Sequence, residues 1–236
     1  MAQLQQIFLG CPYRPAFRRT YQRLKRELEA ESPLQLVLAD TAAITSRDTL
    51  LGHITDLIRE SGGCIFDASG GNPNVSLEVG VAHALGADFM LTLNTRSTSA
   101  ASRRKRAAHR GPERAPGGGK READRAKPII ADLQGRNRIE YRSYAGLKKQ
   151  LVDRFLRRLP YWKRWEDFRH QHPTWAPAAM LVFTEIRRHG RASRPRLEAA
   201  LRNGGVPLPA LLSALRKGGL VAQRRGRLAG YVYPVK

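Results

Sequence analysis

Sulfur is scarce in this chain: it has two cysteines, Cys11 and Cys64, in 236 residues. They have no metal-ligand spacing and make no disulfide framework, so a reducing cytoplasm is the simple expectation. Both read as thiols lining a core. No His/Cys/carboxylate cluster has metal-ligand spacing, so no metal is expected. A run of about 18 apolar residues is also missing, as is a charged-then-apolar leader, and neither a membrane span nor secretion is expected. Acidic residues are few, with 20 Asp and Glu against 42 Lys and Arg for a net charge of +22.

That excess is not spread evenly. Residues 1–94 carry 8 basic and 10 acidic side chains, whereas residues 95–127 carry 11 and 3, residues 128–175 carry 11 and 5, and residues 176–236 carry 12 and 2. A slightly acidic first part beside a strongly basic remainder points to small-molecule chemistry in one and a polyanion partner for the other. A general compositional bias toward Arg is the alternative.

The first 94 residues alternate between two periodicities. QIFLG (6–10), LQLVLAD (34–40), GCIFDAS (63–69) and DFMLTLN (88–94) read as strands. Between them, Phe17, Tyr21, Leu24 and Leu28 recur at helical spacing, residues 46–61 form a helix capped by Ser46, and residues 75–86 form one stopped by Gly86. A fifth strand and a last helix follow within 138–159. Strands alternating with helices imply an α/β fold with a parallel sheet, and five such strands imply the flavodoxin-like order 2-1-3-4-5.

The basic segment 95–127 lacks apolar periodicity and reads as a disordered insertion, either solvated or an arm on nucleic acid. Residues 160–176 hold all three tryptophans and read as an aromatic linker docking two domains, with stacking on single-stranded bases as the alternative. Residues 177–236 give three short helices and then two short strands around the arginine-rich turn RRGR, the order of a winged helix-turn-helix domain. The first half of its third helix, LPALLSA, has no base-reading side chains, so phosphate contact with little sequence discrimination is expected. Arg194, Arg196, Arg216, Lys217, Arg224, Arg225 and Arg227 are the candidate contacts. A winged helix that docks only protein is the alternative.

In the expected strand order, ligands bind where the sheet reverses, at the carboxyl ends of the first and third strands. The loops there are GCPYRP (10–15) and DASGGNPN (67–74). Asn74 reads as the cap of the following helix, which puts Glu78 directly after the first turn. Leu77 occupies the third position after that cap, so Glu78 is no capping-box acid, and none of its helical neighbours is basic. A carboxylate unpaired among apolar groups needs compensation, and the helix N-terminus supplies some. At such an edge it is a candidate nucleophile. The loops lack a P-loop lysine and a three-glycine dinucleotide fingerprint, which argues against nucleoside triphosphatase and hydride-transfer chemistry.

GCPY after the first strand and DASGGNPNVSLEVGVAHALG after the third resemble the nucleoside 2-deoxyribosyltransferase-like family and its relatives among bacterial immune proteins. The likeness covers roughly residues 5–160 and implies one such domain over residues 1–159. It implies that Glu78 acts on the anomeric carbon of a ribosyl group, that Tyr13 orients it, and that Asp67 lies in the nucleotide pocket. Gly10, Cys11, Ser69, Asn72 and Asn74 would bind substrate. The Asn72-Pro73-Asn74 form of the loop is similar to the branch that releases nicotinamide or other bases from nucleotides.

Such a domain joined to a winged helix resembles retron antiphage effectors. That implies an NAD-hydrolysing toxin without a cofactor of its own, held with a reverse transcriptase and a small RNA–DNA hybrid as a homo-oligomer or part of a larger complex. Two other functions remain open: a metabolic deoxyribosyltransferase or nucleotide hydrolase, and a non-enzymatic, nucleotide-sensing DNA-binding regulator.

Overall fold

The computed structural model describes residues 3–38, 50–95, 138–202, 205–224 and 229–234. The Ser46 cap, nearly all of the 95–127 insertion, Arg225 and Arg227 lie outside the described residues.

Apolar alternation makes the sheet two-faced. Strands β1 (Gln3–Gly10), β2 (Gln35–Leu38), β3 (Ser61–Asp67), β4 (Phe89–Asn94) and β5 (Arg138–Tyr141) pair in parallel, in the order β2-β1-β3-β4-β5. Helices α1 (Pro15–Glu31), α2 (Leu50–Glu60) and α3 (Pro73–Ala84) lie in their connections, and α4 (Tyr144–Arg154) follows β5. Successive strand side chains point to opposite faces. Ile7, Leu9, Ile65, Met90 and Ile139 therefore pack with Tyr21, Leu24 and Leu28 of α1 and Leu147 and Leu151 of α4. Phe8, Cys64, Phe66, Phe89 and Leu91 pack with Ile54 and Ile58 of α2 and Val75, Val79 and Ala82 of α3. Both faces are covered, as a parallel sheet requires.

From β1 the chain steps out to β2, then returns past β1 to β3 and continues to β5. The order therefore reverses between β1 and β3, whose carboxyl ends lie side by side with α1 and α3 starting after them, and in open sheets this is where ligands bind.

The C-terminal part contains α5 (Pro160–Gln171), α6 (Ala176–His189), α7 (Arg194–Ala200) and α8 (Leu208–Lys217), then β6 (Ala222–Arg224) and β7 (Gly230–Val232) as an antiparallel hairpin. Ala192 makes an isolated bridge to Tyr231 of that hairpin. Helix α6 ends at Gly190, whose φ of 69° is a left-handed conformation that glycine adopts without a Cβ clash.

The α1 side of the sheet does not close its own core. One apolar cluster continues from it through Tyr161, Trp162, Trp165 and Phe168 of α5 to Phe183, Leu211 and Leu215. Polar bonds stitch the same junction. Tyr161 Oη donates to the Leu220 carbonyl at 2.7 Å, and Arg187 Nη1 donates to the Leu34 carbonyl at 3.0 Å. Among the described residues, no helix is long and apolar enough to cross a membrane.

Candidate active site at the carboxyl edge of the sheet

Helix α3 places Glu78. Its buried stripe is Val75, Glu78, Val79 and Ala82, spaced at three, four and seven residues, so the acid shares the face turned toward the sheet. The side chain is 5% exposed. Its Oε2 is buried without a hydrogen-bond partner. A Cβ placed on Gly10 would clash with that oxygen and come within 2.6 Å of Phe66 Cδ1, so β1 passes this close to the carboxylate because residue 10 is glycine. Glu78 thus lies against the end of β1, at the edge where the sheet reverses.

Burial alone pushes the Glu78 carboxyl up to about 7. The helix terminus does little to offset this, because α3 begins earlier than the sequence reading placed it. Asn72, not Asn74, is the cap. Its side-chain oxygen accepts from the Asn74 and Val75 amides at 2.9 and 3.3 Å, and Pro73 occupies the first helical position. Glu78 is then in the second turn, beyond the range over which a helix end exerts most of its field.

Asp67, at the end of β3, is fully buried with both oxygens engaged. Oδ1 accepts from the Ser69 amide at 2.8 Å, and Oδ2 accepts from Tyr141 Oη at 3.0 Å. Tyr21 Oη and Thr92 Oγ1 lie 2.5 Å apart, and Ser69 Oγ accepts from the Asn94 amide at 2.7 Å. Burial raises the Asp67 carboxyl, while hydrogen bonds from Ser69 and Tyr141 pull it back down. Asp67, expected in the pocket, is bonded to its own loop and to β5. Ser69 is likewise buried, and its hydroxyl links the same loop to Asn94 of β4.

The other expected residues divide between the two loops. Gly10 touches the site, and Cys11 follows it half-buried. Tyr13 is half exposed, and since Oε2 of Glu78 accepts no hydrogen bond, Tyr13 does not hold that oxygen here. Asn72 is committed to capping, and Asn74 is exposed in the first turn of α3. Arg14 escaped the sequence reading. Its Nη1 lies 3.9 Å from the position of a Gly70 Cβ, which sets a cation where the two loops meet. Burial and the charges of Asp88 and Glu78 push the Cys64 thiol up to about 12, so it is no thiolate nucleophile at neutral pH. Among the described residues, no group of three His, Cys, Asp or Glu side chains is arranged to hold a metal.

The expected polyanion contacts fall on three elements. Arg194 and Arg196 are exposed on α7, where Arg194 Nε pairs with Glu198 at 2.9 Å. Arg216 and Lys217 are exposed at the end of α8, and Arg224 is exposed on β6.

The chain matches no protein-family model and none of the curated proteins compared with it. Among solved structures it is similar to a 2-desoxiribosyltransferase from Leishmania mexicana, with 17% identity and a TM-score of 0.34. The alignment covers 38% of this chain and 65% of the other, so the chain matches less than two thirds of that protein's length.

Proposed function

We propose that this protein is a nucleotide N-glycosidase that cleaves the nicotinamide–ribose bond of NAD, with Glu78 as nucleophile. The observation that carries the reading is the orphaned Glu78 oxygen, buried against Gly10 at the edge where the sheet reverses. A buried carboxylate without partners costs folding free energy, and retaining it there is understandable if it acts on a ligand.

In the proposed step, a Glu78 oxygen bonds to the anomeric carbon as the C–N bond breaks. The bond pair leaves with the ring, so a pyridinium departs as neutral nicotinamide. Water then cleaves the ribosyl ester, releases ADP-ribose and restores the carboxylate. Positive charge growing on the sugar is stabilised by the same group. A cationic leaving group fits the described residues, since it needs no proton from a general acid. Of the two buried carboxylates, Asp67 already has both oxygens bonded. A neutral purine would need a proton donor.

The three helices and hairpin after α5 are, in this proposal, a winged helix that binds nucleic acid through Arg194, Arg196, Arg216, Lys217 and Arg224, with Arg225 and Arg227 on the wing. The partner is a small RNA–DNA hybrid with its reverse transcriptase, and the setting is a retron-like antiphage system in the cytoplasm. The concentration of basic residues beyond residue 94 supports a polyanion partner. Purified protein, with and without its co-purifying nucleic acid, is incubated with NAD, and released nicotinamide is measured. Release that disappears in Glu78→Gln supports the reading, and equal release by the variant refutes it.

A further inference from the structure

A groove of about 520 Å³ lies between α5 and α8, and Glu78 is not among its lining residues. Arg164, Gln171, His172, Trp175, Ser213 and Lys217 are among the residues that line it. We infer that this groove holds a base and phosphate of single-stranded nucleic acid. The inference goes beyond the glycosidase reading and rests only on the basic C-terminal half meeting a polyanion.

Three observations converge on it. The first is an aromatic ladder that climbs out of the core. Trp165 stacks on Phe168 with ring centroids 5.8 Å apart, Phe168 meets His172 at 5.2 Å, and His172 stacks on Trp175 at 4.7 Å and 10°. Trp165 and Phe168 are buried, whereas His172 and Trp175 are half-buried and line the groove. A base can extend such a stack, whatever its identity.

The second is charge and hydrogen bonding. Arg164 Nη1 donates to the Gly219 carbonyl at 3.2 Å, which fixes one cation at the end of α8, and Lys217 adds an exposed one. Gln171 and Ser213 bring an amide and a hydroxyl for base edges, and Asp167 brings an acceptor for amino groups.

The third is shape. The volume lies within the range of ligand sites. Ala210, Ser213 and Lys217 of α8 form one wall and α5 the other, so this side of α8 is two helices wide. A major groove about 12 Å across admits one helix of about 10–12 Å, so duplex readout by this face is blocked. A single strand is narrow enough to enter.

The test is fluorescence anisotropy with a labelled oligothymidylate of about twelve nucleotides. It is run on the full chain beside a duplex of the same length and unlabelled thymidine monophosphate as competitor. Ala210→Phe and Ser213→Glu each obstruct the groove from an exposed position, and unchanged melting temperatures show that they fold. Both are expected to weaken strand binding about tenfold or more, and Ala210→Phe, which adds no charge beside Arg216 and Lys217, is expected to leave duplex binding unchanged. Saturable quenching of intrinsic fluorescence by the strand is expected in the wild type and is expected to fall in Trp175→Phe. The inference is overturned if the wild type binds no strand, or if both groove variants bind it as the wild type does. Competition by the monophosphate at concentrations equal to the strand also overturns it, because the ligand is then a free nucleotide. If Arg224→Glu weakens binding and the groove variants do not, the nucleic-acid reading stands and the groove assignment fails.

Discussion

Two buried carboxylates lie at the carboxyl edge of one sheet, and their surroundings are opposite. Asp67 has a partner for each oxygen, supplied by its own loop and by β5. Glu78 has an oxygen with none, pressed against a glycine and an aromatic ring. Burial raises both groups, but hydrogen bonds oppose it only at Asp67. A satisfied buried acid rigidifies the strands around it, whereas an unsatisfied one stores a cost that a ligand or a reaction can use. The pair therefore contrasts a buried acid whose oxygens are both bonded with one that has an oxygen left unbonded.

The sharpest way to break that contrast is Glu78→Gln. Nicotinamide release is expected to fall about a thousandfold or more, equivalent to about 4 kcal/mol of barrier. The same variant is expected to be more stable than the wild type in alkaline buffer. Below about pH 4 the Glu78 carboxyl is protonated in both the folded and unfolded chains, and its ionisation does not enter the stability. Above the ordinary value of 4.5 the unfolded chain ionises while the folded chain keeps its proton, so about 3 kcal/mol of stability is lost progressively by the time the pH has risen through about 7. Urea melts at pH 5 and pH 8 measure this, and the gap between them is expected to narrow in the variant.

Asp67→Ala should act the other way round, losing about 3 kcal/mol of stability because the Ser69 amide and the Tyr141 hydroxyl are left buried and unbonded. Chemical denaturation checks this, and a loss under about 1 kcal/mol would make the two acids alike.

Gly10→Ala comes next. Its Cβ must displace the Glu78 oxygen or the Phe66 ring, and a cost of about 2 kcal/mol is expected together with impaired NAD cleavage. Tyr141→Phe has the smallest expected effect, about 1 kcal/mol, through a single lost bond to Asp67, and denaturant midpoints resolve it.

What could be read from the chain beforehand divides along the same line. The strand order and the position of Glu78 at the reversal point follow from local alternation and helical spacing, which a sequence displays directly. The cap was misread by two positions, because Asn72 and Asn74 are both good caps. Pro73 was the available signal, since proline favours the first helical position. The partners of Asp67 stayed hidden. Tyr141 reaches Asp67 from β5 while Tyr21 of α1 pairs with Thr92 of β4 beside it, and no spacing in the chain announces that meeting. The aromatic run 160–176 reads as a docking segment, but neither the residues of α6 and α8 that it meets nor the groove beside α5 is announced by spacing. Both are products of packing between residues distant in the chain.

The most direct test of the unpaired acid is a carbon-13 NMR titration of the Glu78 carboxyl in the full chain. A midpoint near 7 is expected, and in the presence of NAD activity should rise across the same pH range as the carboxylate forms. A midpoint near the ordinary glutamate value of 4.5 contradicts it.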